Sequence, residues 1–444
     1  MSMFKASAAQ VDLNPPVGSW MTGFGARITP TTGKHDPIMA HALLLDDGAS
    51  KLAIVACDLI GFTPAAVADI RHRIARKSAI PAVNILVTCT HTHSGPASMP
   101  FRGVMGNIDA NWLAEAERKL VDLVDGLSAA LQPAQVAFGT TRVGGIGYNR
   151  QDPTRVMDEE LNVMAVETTG GMPIATLVNY ATHPVVLGPN NLLFSADYPG
   201  ELARCLSEAR GGVGMFLQGA SGDVDPLVYQ QRGWGTGTFA DTRQIGESLC
   251  VAALQALKDA PRTSEVTLSV SSKMLEVPLD APPSPEELAQ LVAGFQADRQ
   301  KAAAAGDEMQ EKVALAMLDW AGELGQALES ETVQQTLPSE LFVAGINDVC
   351  LIGLPFETYT DIGLAIKQNL QPLKAWYVGY ANGLYGYCPT AWAKRQGGYG
   401  PDGSHRWFPR LLTAIGYGAD ELIVGEATQL AKTIAARETS EAGE

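Results

Sequence analysis

Cationic side chains are scarce in this sequence: 32 Lys and Arg stand against 48 Asp and Glu, for a net charge of −16. Nucleic acids and anionic membrane surfaces are recognised by clustered Lys and Arg, so neither is an expected partner. Cysteine is also sparse. Its six copies include no CxxC pair, which argues against a thiolate zinc site. Several lie in apolar runs such as IVAC and LVTC and read as small core residues, with no spacing that suggests a disulfide framework. No apolar run approaches the roughly 20 residues of a membrane span. The segment MSMFKASAAQVDLNPPVG has no hydrophobic signal-peptide core. A soluble, cytoplasmic protein is the expectation. Histidine is rarer still, with seven in 444 residues, yet two stand one residue apart in VTCTHTHSGPAS, Val87 to Ser98.

What is present is ample apolar material, 46% of the chain, enough for a large core. Short apolar runs alternate with amphipathic helical patterns. HALLLDDG, KLAIVACDLIG, VNILVTCTH, LNVMAVET, IATLVNYATH and GMFLQG read as strands; PAAVADIRHRIARKSA and NWLAEAERKLVDLVDGLSAAL read as helices. The alternation predicts an α/β fold, with mixed sheets layered with helices, as a single domain over 1–444. Between about 280 and 335 the composition shifts to Ala, Glu, Gln, Leu and Lys. SPEELAQLVAGFQADRQKAA opens with a strong helix start, and EMQEKVALAMLDWAGELGQAL follows. Together they predict an inserted helical hairpin, a lid or an oligomer contact, and a homodimer is compatible with the composition. The segment 383–409 is a long loop dense in Gly and aromatics. The tail ETSEAGE is expected to be disordered.

Open α/β sheets bind ligands beyond the carboxyl ends of their strands. Asp58, His91, His93, His183, Asp223, Asp225, Glu357, Tyr385 and Tyr387 all follow apolar runs. Imidazole nitrogens and carboxylates from several strand ends suit a divalent metal with one position left for water. Plainer readings stand beside this one. Each His can be a satisfied polar residue, Glu357 can favour the start of the helix TYTDIGLAIKQ, and Tyr387 can be a core aromatic.

In order along the chain, THTHSGP (90–96), YNR (148–150), THP (182–184), GDVDP (222–226), LPFE (354–357) and GYCPT (386–390) resemble the catalytic domain of the neutral, non-lysosomal ceramidases, as does GKHDPIMAHALLLDDG near the N-terminus. The resemblance covers most of residues 3–435 and fits 280–335 poorly. It implies one zinc per chain held by His91, His183, Glu357 and Tyr387; iron, manganese and nickel suit the same donors. It also implies that His93, Arg150 and Tyr399 face the substrate. Tyr399 lies twelve residues after Tyr387, the offset of a second site tyrosine in that family.

Two departures from the family bear on function. Asp225 stands where the family motif carries serine, and could serve as a base, an extra ligand or a pocket wall. The chain also ends soon after the catalytic domain, where the family has an immunoglobulin-like domain. The expectation is therefore a zinc-dependent hydrolase of an amide, ester or lactone bond in a small soluble substrate. The alternatives are a true ceramidase, a metal-dependent isomerase or lyase with Asp225 as base, and a metal-stabilised binding protein without turnover.

Overall fold

The computed structural model describes residues 3–103 and 105–441. Its framework is an eight-stranded mixed sheet. The strands run in the order Val213–Gln218, Pro173–Tyr180, Glu160–Thr168, Gln132–Arg142, Lys5–Asp12, Met39–Asp46, Lys51–Cys57 and Ile85–Cys89. The interior pairs are antiparallel and both outermost pairs are parallel. A second sheet of four strands, Leu268–Pro278, Thr336–Ile346, Val349–Gly353 and Lys374–Val378, also ends in a parallel pair. Parallel neighbours need a crossover, and each of the three has a helix: Pro64–Ser78, Asp197–Arg210 and Thr360–Leu370.

The strands read as near-continuous apolar runs because both of their faces are covered. Along Met39–Asp46, Leu43 and Leu45 share a core with Phe342, Leu351 and Trp376 of the second sheet, whereas Ala42 and Leu44 join the core beneath the helices. This is the period of two expected of a strand. The layers are therefore helices, sheet, sheet and helices, in agreement with the predicted α/β class.

The two sheets are tied where the parallel pairs end. The chain leaving Lys374–Val378 lies between the two edges of the large sheet. At one edge Gly379 N–H donates to Gln218 O (2.9 Å), and Asn179 Nδ2 donates to Tyr377 O (2.9 Å). At the other, Asn382 N–H donates to Val87 O (2.7 Å), Val87 N–H returns to Asn382 Oδ1 (3.0 Å), and the Thr88 hydroxyl donates to Gly379 O (2.9 Å). Three sets of strand ends are thereby drawn to one place.

The helical hairpin is present as Pro285–Ala305 and Glu308–Glu329. Ser284 and Glu287 form a reciprocal cap, and Gly306 (φ +68°) turns the chain between the helices. The hairpin is pinned to its neighbours. Ala316 sits so close to Gly103 that a Cβ there would lie 2.7 Å away. Trp320 Nε1 donates to Leu412 O (2.9 Å). The buried Arg102 pairs with Glu323 (2.6 Å) and donates to the carbonyls of Arg406, Phe408 and Pro409.

Three expectations are corrected. Cys205 and Cys250 form a disulfide, whereas Cys57, Cys89, Cys350 and Cys388 are buried thiols. The bridged pair lies on two helices that meet only in the folded chain, so the 45-residue spacing gave no signal. The last helix, Ala419–Glu441, runs through most of the tail expected to be disordered, and 442–444 lie outside the described residues. The 383–409 segment is not irregular throughout. It holds a two-residue strand, Tyr387–Cys388, a helix, Ala391–Gln396, and two tight helical turns, Tyr399–Gly403 and Ser404–Trp407. Among the described residues no helix is long and apolar enough to cross a membrane.

Removing Arg102 strands three carbonyls, whereas removing the half-exposed Glu323 strands only a cation that keeps those three acceptors. Arg102→Ala is expected to cost about 2–4 kcal/mol and Glu323→Ala about 1 kcal/mol. Urea unfolding of both variants checks the asymmetry; equal losses would mean that the ion pair, not the carbonyl clamp, docks the hairpin.

Candidate metal centre

Each parallel pair delivers a side chain and its support from its carboxyl ends. In the first, His91 follows Ile85–Cys89 with a left-handed backbone (φ 69°), a conformation that is strained for a non-glycine residue. The turn is held by His91 N–H donating to Leu59 O (2.9 Å), and the His91 Nδ1–H donates to Ile60 O (2.6 Å). In the second, His183 follows Pro173–Tyr180, and its Nδ1–H donates to Ser221 O (2.6 Å), beyond the neighbouring strand. In the third, Glu357 follows Val349–Gly353, and Tyr380, just past Lys374–Val378, stacks on the His91 ring (4.1 Å, 15°).

These supports settle the chemistry. A carbonyl oxygen only accepts, so both Nδ1 atoms carry the proton and both Nε2 atoms keep a lone pair. Glu357 Oε2 lies 3.1 Å from His183 Nε2 and 3.4 Å from His91 Nε2. His93 Nε2 lies 3.2 Å from His91 Nε2, and the three imidazoles form a cluster whose nitrogens lie within 4.8 Å of one another. The His91 and His183 lone pairs and the Glu357 carboxylate thus face one buried point, with no donor between either ring and the carboxylate. Such a donor set fits a divalent cation. Burial, helped by the neighbouring imidazoles, pushes His93 well down, and burial lowers His183. His93 and His183 are therefore neutral, the form that binds metal.

A two-residue parallel bridge pairs Glu357 with Tyr387, bringing the phenol beside the carboxylate. The Tyr387 ring lies 6.5 Å from that of His183 at 16°, and Arg150 Nη2 donates to the Tyr387 hydroxyl (2.9 Å). Arg150 is anchored by Nη2 to Gly222 O (2.7 Å) and by Nη1 to the buried Asp225 (3.1 Å). Arg150 and Asp225 stand on adjoining stretches because Gly147–Asn149 pairs antiparallel with Val224–Pro226. Tyr399 meets Tyr387 edge-on (5.7 Å, 75°) and is half exposed. On the far side His93 is boxed in by Phe24 (4.9 Å) and by Gly23 (φ +100°), where a Cβ would come within 2.4 Å of the imidazole.

Of the eight residues expected at the site, the structure gathers His91, His93, His183, Glu357, Tyr387 and Arg150; Asp225 is attached through Arg150 and Tyr399 through Tyr387. Three other strand-end candidates do not join them. Asp58 accepts from Met39 N–H (3.1 Å) beside His41. Asp223 accepts from Thr360 N–H and from Asn149 (both 2.7 Å), and burial raises its pKa to about 6. It, rather than Glu357, caps the Thr360 helix. Tyr385 turns away, its ring 6.0 Å from that of Phe356. Tyr380, Gly23 and Arg27 were missed by sequence reasoning. Tyr380 shares the signal that marked the others, a polar side chain just past a strand; Gly23, against the His93 ring, and Arg27, whose Nη1 donates to His93 O (2.9 Å), act only in tertiary contact.

A mixed α/β fold with imidazoles and a carboxylate gathered at strand ends makes a candidate metal centre. The chain belongs to the neutral/alkaline non-lysosomal ceramidases: the sequence model of that family's N-terminal domain matches residues 8–264, more than half of the chain. It is 25% identical over 256 residues to the neutral ceramidase of Pseudomonas aeruginosa, and 23% over 251 residues to that of Mycobacterium tuberculosis. These alignments take in 51% and 47% of this chain but only 38% of either relative. The crystal structure of the P. aeruginosa enzyme shares the fold, with a TM-score of 0.71 at 18% identity over 97% of this chain and 75% of that one; a ceramidase complexed with C2 gives 0.70 at 17%. Glu357, Tyr387 and Tyr399 lie beyond the matched 8–264, so their place at the site rests on the geometry above.

Gly222 has no room for a side chain, since a Cβ would lie 2.2 Å from Glu357 O. Gly222→Ala is expected to displace Glu357 and weaken metal retention by about 10–100-fold, the size of effect typical for a supporting contact. His91→Ala is expected to abolish retention. Elemental analysis after dialysis against a chelator measures both. Full metal content in Gly222→Ala would show that Glu357 can shift without consequence.

Proposed function

We propose that this chain is a metal-dependent amide hydrolase acting on a ceramide-type N-acyl amide, with zinc held by His91, His183, Glu357 and Tyr387. The observation that carries the reading is the convergence of the His91 and His183 Nε2 lone pairs on the Glu357 carboxylate. Bound there, a divalent cation supplies Lewis acidity toward a carbonyl and acidifies water. Around it, Arg150 offers a cationic donor to charge developing on the carbonyl oxygen, usually a large catalytic effect. Its side chain is a quarter exposed. Neutral His93 holds a hydrogen bond at Nε2, and the half-exposed Tyr399 phenol is the proton donor to the leaving amine.

The names of the relatives favour ceramide over the small soluble substrate expected from the sequence. The Asp225–Arg150 pair argues against Asp225 as the base of an isomerase or lyase, since an ion-paired carboxylate is a poor base. Asp225 instead fixes Arg150 and, through it, the Tyr387 hydroxyl.

Purified protein loaded with zinc is expected to release fatty acid from a short-chain ceramide in detergent, and His183→Ala to lose both metal and activity. Metal retention without release from ceramide, alongside turnover of soluble esters or lactones, would overturn the substrate and keep the site. Asp225→Ser is expected to lower kcat about tenfold with little change in KM, because it loosens a group that acts on the transition state. An unchanged kcat in that variant would remove the positioning role.

A further inference from the structure

Three arginines are buried among the described residues, and two have a counter-charge: Arg71 pairs with Glu340, and Arg102 with Glu323. Arg27 does not. It is 4% exposed, and its nearby contacts are neutral. Its Nε donates to Asn191 O (3.1 Å), and its Nη1 donates to Thr22 O (3.1 Å) and His93 O (2.9 Å). Three of five N–H donors are thereby used, and Nη2 has no partner. Burial lowers its pKa to about 10. A desolvated cation without an anion is costly to the fold, and an arginine kept in that state is a recognition element in search of a charge.

Arg27 lines a cavity of about 200 Å³ between the 20–28 segment, the residues Phe101, Gly103 and Met105 to Asn107, and Lys312 of the helical hairpin. Trp20, Ile28, Phe101 and Met105 give it apolar walls. No acidic residue lines it, in a chain where acids outnumber bases 48 to 32. Lys312 is held by Glu308 one turn back (2.7 Å), an exposed pair that is cheap to exchange for a better partner.

We propose that this cavity binds a small carboxylate carried on an apolar chain, with Arg27 and Lys312 taking the charge and Trp20, Ile28 and Phe101 the chain. A guanidinium with an unpartnered Nη2 and an ammonium lining one cavity suit a carboxylate, for which Lys312 would exchange Glu308. The apolar walls add affinity with each methylene they cover. Because Arg27 also donates to the His93 carbonyl, an occupant would bear on the backbone of the imidazole cluster from behind.

The test is the melting temperature of the full chain titrated with hexanoate, acetate, phosphate and chloride at equal ionic strength. Hexanoate is expected to give a saturable rise of about 2 °C, acetate a weaker response, and chloride none. Lys312→Gln, a surface change, is expected to raise the half-saturating hexanoate concentration roughly fivefold. His183→Ala is expected to keep the response, which separates this cavity from carboxylate binding at the metal centre. A response lost in His183→Ala, an equal response to phosphate, or no response would overturn the proposal.

Discussion

Two imidazole lone pairs and a buried carboxylate aimed at one point are an electrostatic demand that a cation would meet. The demand exists because the carbonyls of Ile60 and Ser221 fix the protons of His91 and His183 on the far nitrogens. Reverse either ring and a proton would sit between Nε2 and Glu357, and the site would be an ordinary hydrogen-bonded pair. The supports in turn depend on the strands beside the ligands, since each carbonyl comes from the end of the neighbouring parallel strand. Parallel pairing therefore does more than carry side chains: it places a ligand and its orienting acceptor side by side.

Charge around this point is distributed unevenly. On one flank the Arg150 cation is neutralised by Asp225 and linked to the Tyr387 phenol. On the other, Arg27 touches His93 through its carbonyl and has no counter-charge. Asp225 in GDVDP is absorbed by the first flank, where it sets the position of a guanidinium instead of facing the imidazole cluster. The second flank leaves a cationic cavity behind the cluster in an otherwise acidic molecule.

Much of the fold was legible because its strands and helices carry strong local periods. The helix start at Ser284, the apolar runs and the breaks between them depend on neighbours a few residues away. The site was legible in part for the same reason, since polar residues directly after apolar runs marked the strand ends. That signal did not discriminate. It marked Asp58, Asp223 and Tyr385 as strongly as Glu357, and only packing turned these three to other tasks. Tyr387 and Tyr399 were assigned through family resemblance rather than through any local pattern.

The sequence by itself determined the layered α/β architecture, the hairpin and the set of side chains available at strand ends, because periodicity and capping are properties of short segments. Tertiary structure alone decided which of those ends meet. The chain at Gly379 to Asn382 bridges strand ends more than 130 residues apart in sequence, Val87 and Gln218. The Cys205–Cys250 bridge, the pairing of Arg150 with Asp225 and the isolation of Arg27 are decided at the same level. Each is a contact between segments brought together by sheet order, and no local pattern encodes a partner that arrives only when the sheets close.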